Sequence, residues 1–126
     1  MDNSSLLFGK YVKQKREELG KTLRGFAAEV KISPAYLSDI ENGRRNAPER
    51  FLKIFSEALN ITGTEELYKF YDLAGVSQNG QHSDINEYIE SGPHARLALR
   101  TAQGNNFSDE DWQRLIEIIK NKNNSD

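Results

Sequence analysis

The stretch ISPAYLSDIENGRRNAP, residues 32–48, decides how the first half of the chain is read. Ser33 offers a side-chain oxygen to the free N–H groups of a helix start, and Pro34 fits the first helical position, where an N–H has no partner anyway. Gly43 supplies the conformation that ends the helix. Leu37 and Ile40, with Ile32 in the preceding turn, form the apolar side, which leaves Ala35, Tyr36, Ser38 and Asp39 on the other. A helix this short is marginal in water, so packing must hold one face while the opposite face stays free. That free face carries small or hydrogen-bonding side chains, on a rod about 10 Å across that fits a major groove about 12 Å wide. Arg44 and Arg45 follow at once.

Working outward, the same periodicity continues on both sides. Phe8, Tyr11, Val12 and Leu19 recur at helical spacing and Gly20 stops that helix. Thr22 caps a second helix whose Leu23, Phe26, Ala27 and Val30 face inward. A fourth is expected from about Pro48 to Leu59 with Leu52, Phe55 and Leu59 buried, and a fifth from Thr64 through Leu67, Phe70, Tyr71 and Ala74. No segment alternates with period two, so the fold class is all-α.

From Phe8 to about Ile61 the motifs KREELGKT, TLRGFAAEV, ISPAYLSDIENGRR and FSEALNI stand in an order that resembles the XRE family, the helix-turn-helix domains of phage repressors and Cro proteins. The resemblance implies a five-helix repressor-type domain over residues 6–75, with residues 23–30 as supporting helix and 34–42 as recognition helix. It implies that Ala35, Tyr36, Ser38 and Asp39 meet base edges of double-stranded DNA. Thr22, Arg24, Ser33, Arg44 and Arg45 would contact phosphate, and Arg16 would pair with Glu41 to tie the first helix to the third. Three positions depart from the family pattern. Leu23 stands where many relatives carry a glutamine that bonds phosphate, Lys31 stands at a turn position often occupied by glycine, and Asp39 brings a negative charge toward the groove.

Composition sets the remaining bounds. With 126 residues and 37% hydrophobic content, the chain has room for one small core plus an appended helical segment. Cysteine is absent, which excludes thiol nucleophiles and thiolate metal sites. Without a long apolar run or a leader-like start the chain reads as cytoplasmic, with no membrane partner. The net charge of −2 hides a division: residues 1–60 hold 11 basic and 8 acidic side chains, residues 61–126 hold 6 and 11. A positive surface can therefore exist on an acidic molecule. Lys10, Lys13 and Lys15 read either as a solvated face or as phosphate ligands, and Tyr36 either reaches DNA or lies on its own helix. His82 and His94 are far apart and lack ligand spacing, so no metal or other cofactor is expected. No nucleophile elbow, phosphate loop or carboxylate pair marks an enzyme, and Asp109, Glu110 and Asp111 read as the first turn of a helix capped by Ser108.

Residues 76–83, rich in Gly, Ser, Asn and Gln, read as a linker. Residues 84–121 read as a helical region for dimerisation or regulation, and residues 122–126 as a disordered tail. Its stripes are Ile85, Tyr88 and Ile89; Ala95, Ala98, Leu99 and Ala102; and Trp112, Leu115, Ile116 and Ile119. These either fold on the same chain or join a second subunit, the last stripe being the expected homodimer contact. The expectation is a repressor on a pseudopalindromic operator, open to an antagonist protein or peptide. The alternative is an antitoxin-like interaction module whose C-terminal helices bind a partner protein.

Overall fold

The computed structural model describes residues 4–124. Those residues are all-helical: α1 Ser4–Glu18, α2 Leu23–Glu29, α3 Pro34–Glu41, α4 Glu49–Ala58, α5 Thr64–Ser77, α6 Ser83–Ser91, α7 Pro93–Gly104 and α8 Asp109–Lys120. A 3-10 turn, Lys122–Asn124, occupies the first part of the expected tail, and residues 125–126 lie outside the described residues.

The starts and stops follow local chemistry. Thr22 Oγ1 accepts from the Gly25 N–H at 3.0 Å and Ser33 Oγ from the Tyr36 N–H at 3.1 Å, each satisfying a donor that the first helical turn leaves free. At Ser108 the cap is reciprocal: its hydroxyl accepts from the Asp111 N–H while the Asp111 carboxylate accepts from the Ser108 N–H. The Asp111 carboxyl is held below the usual range by that backbone donor first and by Arg114 next. Helix ends close through left-handed residues, Gly20, Lys31, Gly43, Asn60, Asn79 and Asn106. At Lys31 the reversal is fixed by Ile32 N–H to Ala27 C=O at 3.0 Å and Lys31 N–H to Ala28 C=O at 3.3 Å.

The chain divides into two compact units, Met1–Asn86 and Glu87–Asp126. In the first, α1 packs on α5 and α3, α2 on α3, and α4 on α5. Phe8, Val12, Phe26, Val30, Leu37, Ile40, Phe55 and Phe70 are fully buried, with Phe8 and Phe70 5.5 Å apart and Phe26 edge-on to Phe55 at 5.6 Å. Leu19 differs from its expected role: it falls after the last residue of α1, where the chain turns at Gly20, and is exposed. Over residues 76–83, Val76 and Ser77 finish α5, the Gln78 side chain donates to the Ala47 carbonyl, and the His82 ring lies against Gly75.

The second unit is thin. Among its described residues Ala102 alone is buried. Phe107 and Trp112 meet edge-on at 5.0 Å across the α7–α8 turn, Trp112 and Leu115 are half-buried, and Ile116, Ile118 and Ile119 are exposed. Tyr88, Leu97 and Leu99 are exposed as well, so most of the expected stripes face outward.

Candidate nucleic-acid interface

The interface is built on α3, which is anchored from behind. Leu37 and Ile40 enter the core, and Glu41, also buried, meets Arg16 of α1 through two parallel hydrogen bonds, Nε to Oε2 at 2.8 Å and Nη2 to Oε1 at 3.0 Å. Arg16 also donates from Nη1 to the Lys21 carbonyl at 2.8 Å, which brings the α1–α2 turn into the same network. The bond to Glu41 raises the Arg16 pKa against the opposing effect of burial. A forked pair of this kind fixes rotation as well as position, so α3 is held at one angle to α1.

A second constraint is steric. A Cβ on Gly9 would sit 2.3 Å from the Ile40 carbonyl oxygen and 2.6 Å from that of Glu41, so α1 meets the end of α3 backbone to backbone. Only glycine permits that approach. Gly43, at φ 76°, turns the chain out of α3 beside Leu6, whose Cα would lie 2.8 Å from a Cβ there.

The outward side of α3 carries Ala35, exposed, with Tyr36, Ser38 and Asp39 half-buried. Each of the last three has a partner from the following loop. The Arg45 guanidinium lies over the Tyr36 ring at 4.1 Å from its centroid, while the Tyr36 ring itself rests on the hydrophobic core. Arg44 Nη1 is 3.4 Å from Asp39 Oδ1, an exposed pair. Asn42 donates from Nδ2 to the Ser38 carbonyl at 2.8 Å and to its hydroxyl at 3.3 Å. The loop is itself tied to α3, because the Arg44 N–H donates to the Asp39 carbonyl at 2.8 Å. The two arginines thus flank the face and also fold onto it.

Around this face the helix-turn-helix corner adds charge. Arg24, one position into α2, and Lys31, in the turn, are exposed, and neither has an ion-pair partner among the described residues. Thr22 and Ser33 accept a backbone hydrogen bond each and are exposed. Leu23 is half-buried against the core and offers no polar group. Lys10 and Lys13 are exposed, whereas Lys15 reaches Glu66 at 3.5 Å. Sequence reasoning passed over Asn42 and Gly9. An i, i+4 relation to Ser38 is the local signal for the first; the second has no local signal, because its neighbour is some thirty residues away in sequence.

No group of three or more His, Cys, Asp or Glu side chains among the described residues is placed to hold a metal, and no helix among them is long and apolar enough to cross a membrane. Trp112, Leu115, Ile116 and Ile119 lie in the second unit, apart from the α3 face in sequence and in unit.

No curated protein matches the chain significantly. One solved structure similar to it is the crystal structure of the clp gene regulator ClgR from C. glutamicum, at 26% identity over 61% of this chain and 95% of that chain, with a TM-score of 0.49. A family model described as helix-turn-helix matches residues 12–66, which span α2, α3 and the pairing of Arg16 with Glu41. Over those residues the chain matches the XRE-type helix-turn-helix family model.

Proposed function

We propose that this protein is a sequence-specific repressor of transcription that acts in the cytoplasm as a homodimer on a pseudopalindromic operator. The observation that carries the reading is the outward face of α3: small or hydrogen-bonding side chains and no long aliphatic, flanked by two arginines and held rigidly by a buried ion pair. In this reading α3 lies in the major groove with Ala35, Tyr36, Ser38 and Asp39 at base edges, and Thr22, Arg24, Ser33, Arg44 and Arg45 reach phosphates. Arg44 leaves Asp39 for the DNA backbone, and Asp39 then accepts from a cytosine amino group. The C-terminal stripe of Trp112, Leu115, Ile116 and Ile119 joins two subunits, so that two α3 helices meet half-sites about 10 base pairs apart.

The test is selection of bound duplexes from a random library by the full chain. The reading expects one enriched motif with dyad symmetry, and a changed base preference within each half-site for Tyr36→Ala or Ser38→Ala. Absence of any enriched motif would count against it. The exposed Ile116, Ile118 and Ile119 support a second reading, an antitoxin-like module that binds and restrains another protein, with or without DNA. Stable complex formation with a neighbouring gene product, lost on removing residues 105–126, is its distinguishing result.

A further inference from the structure

The second unit has a problem of size. About forty residues rarely hold a fold without disulfides, metal or association. The chain has no cysteine, the described residues present no metal-holding group, and one alanine is buried. On α8 three isoleucines are uncovered, Ile116 at 46%, Ile118 at 68% and Ile119 at 62%.

Charge along α8 is polarised. Asp109, Glu110 and Asp111 occupy its first turn and Lys120 its last, followed by Lys122. With about 100° of turn per residue, Trp112, Leu115, Ile116 and Ile119 share one stripe and Glu110, Arg114 and Glu117 fall on the back. Asp109 and Lys120 lie on the same edge of that stripe, about 70° and 90° from its centre, at opposite ends of a helix about 18 Å long. Both are exposed, without an ion-pair partner among the described residues.

We infer that α8 pairs with α8 of a second copy in antiparallel orientation about a two-fold axis passing between residues 115 and 116. Resting on the homodimer reading, this names its geometry. Antiparallel pairing about that axis brings Leu115 against the partner's Ile116 and Trp112 against the partner's Ile119, and places Asp109 beside the partner's Lys120 at both ends. The apolar stripe centres between residues 115 and 116 and the charged pair between 114 and 115, so Asp109 and the partner's Lys120 lie about 3 Å apart along the helix axis, an offset that the lysine side chain spans. A parallel pair would set acidic turn against acidic turn and basic against basic, at a cost. The same polarity follows the helix dipoles, which favour antiparallel neighbours.

The absence of native cysteine makes the register directly readable. The full chain is prepared as Asp109→Cys and as Lys120→Cys, and both are treated with a bismaleimide whose reach matches a helix-axis separation of about 8–10 Å. The expected result is a dimer by light scattering, cross-linking in the mixture of the two variants and none in either alone. Lys120→Asp, which leaves the α8 cap intact, should raise the dimer dissociation constant about five- to tenfold, and Asp109→Lys in the same chain should restore it. A dimer in which Asp109→Cys cross-links to itself, or in which the mixture fails to cross-link, overturns the antiparallel register while the homodimer stands. A monomeric full chain overturns both.

Discussion

Arg44 and Arg45 are each engaged by α3 in the free protein, so contact with DNA at this loop is an exchange and not a simple addition. Arg44 exchanges a carboxylate for a phosphate; Arg45 can keep its place over Tyr36 while its outer N–H groups reach a backbone oxygen. Asp39→Asn should therefore strengthen binding to unrelated duplexes by about three- to tenfold and steepen the salt dependence, because it frees Arg44 and removes a charge that phosphates repel. Anisotropy titrations of unrelated duplexes at two salt concentrations check this; unchanged non-specific affinity would mean that Arg44 does not work as a clamp. At the turn, Lys31 holds φ 62°, a conformation costing a residue with a Cβ about 1–2 kcal/mol. Lys31→Gly should recover that, less about 0.5–1 kcal/mol for the added freedom of the unfolded chain, a net gain near 0.5–1 kcal/mol in urea unfolding.

Between elements, the α1–α3 contact sets the pose of the reading helix. Glu41→Gln or Arg16→Met leaves a buried charge without its partner and should cost about 3–5 kcal/mol, while Arg16→Met with Glu41→Leu should restore a large part of it. Gly9→Ala should cost about 3 kcal/mol or more, since the obstacle is backbone and no side chain can rotate away. Thermal melting of these variants is the check, and a silent Gly9→Ala would refute the close approach. Such contacts also mark where the sequence stops being readable. Thr22, Ser33 and Ser108 announced helix starts because a cap acts within three residues, and the apolar repeats of α1 to α5 announced the core because one face must be buried. Leu19 misled because periodicity alone does not show that the last helical residue before the stop at Gly20 is Glu18, which leaves Leu19 in the turn. The Arg16–Glu41 geometry spans 25 residues, and the Tyr36–Arg45 stack crosses the end of a helix. Neither has a period, so the first was accessible only by family resemblance and the second not at all.

Across the whole chain, charge divides along the sequence and not by unit: the basic excess lies before residue 61 and the acidic excess after it, so that the first unit holds 12 basic and 12 acidic side chains and the second 5 and 7. That division places the positive charge on the segment that carries α1 to α4. The first unit also has an acid-sensitive strut. Tyr11 donates to Glu66 at 2.8 Å, with Lys15 at 3.5 Å, and the Tyr11 phenol is pushed up by burial first and by this bond next. The same bond from Tyr11, then Lys15, lowers the Glu66 pKa. A carboxyl whose folded pKa lies below its unfolded one contributes stability above the unfolded value and loses it as pH falls through the folded one. Urea midpoints should therefore decline below about pH 5 in the native chain, with a shallower decline in Glu66→Gln. Equal slopes in both would remove Glu66 from the account.

The measurement that bears most directly on the central claim is fluorescence anisotropy of the full chain, native and Arg44→Ala/Arg45→Ala, on duplex DNA from upstream of its own gene and on a shuffled control, at about 50 and 200 mM salt. The account predicts a preference of about 10³ or more for the upstream duplex and affinity that falls steeply with salt. In the double variant, binding to both duplexes should weaken by a similar factor with a flatter salt slope. Equal, weak binding of the native chain to both duplexes, unaltered by loss of the two arginines, would contradict the claim that α3 and its arginines read DNA.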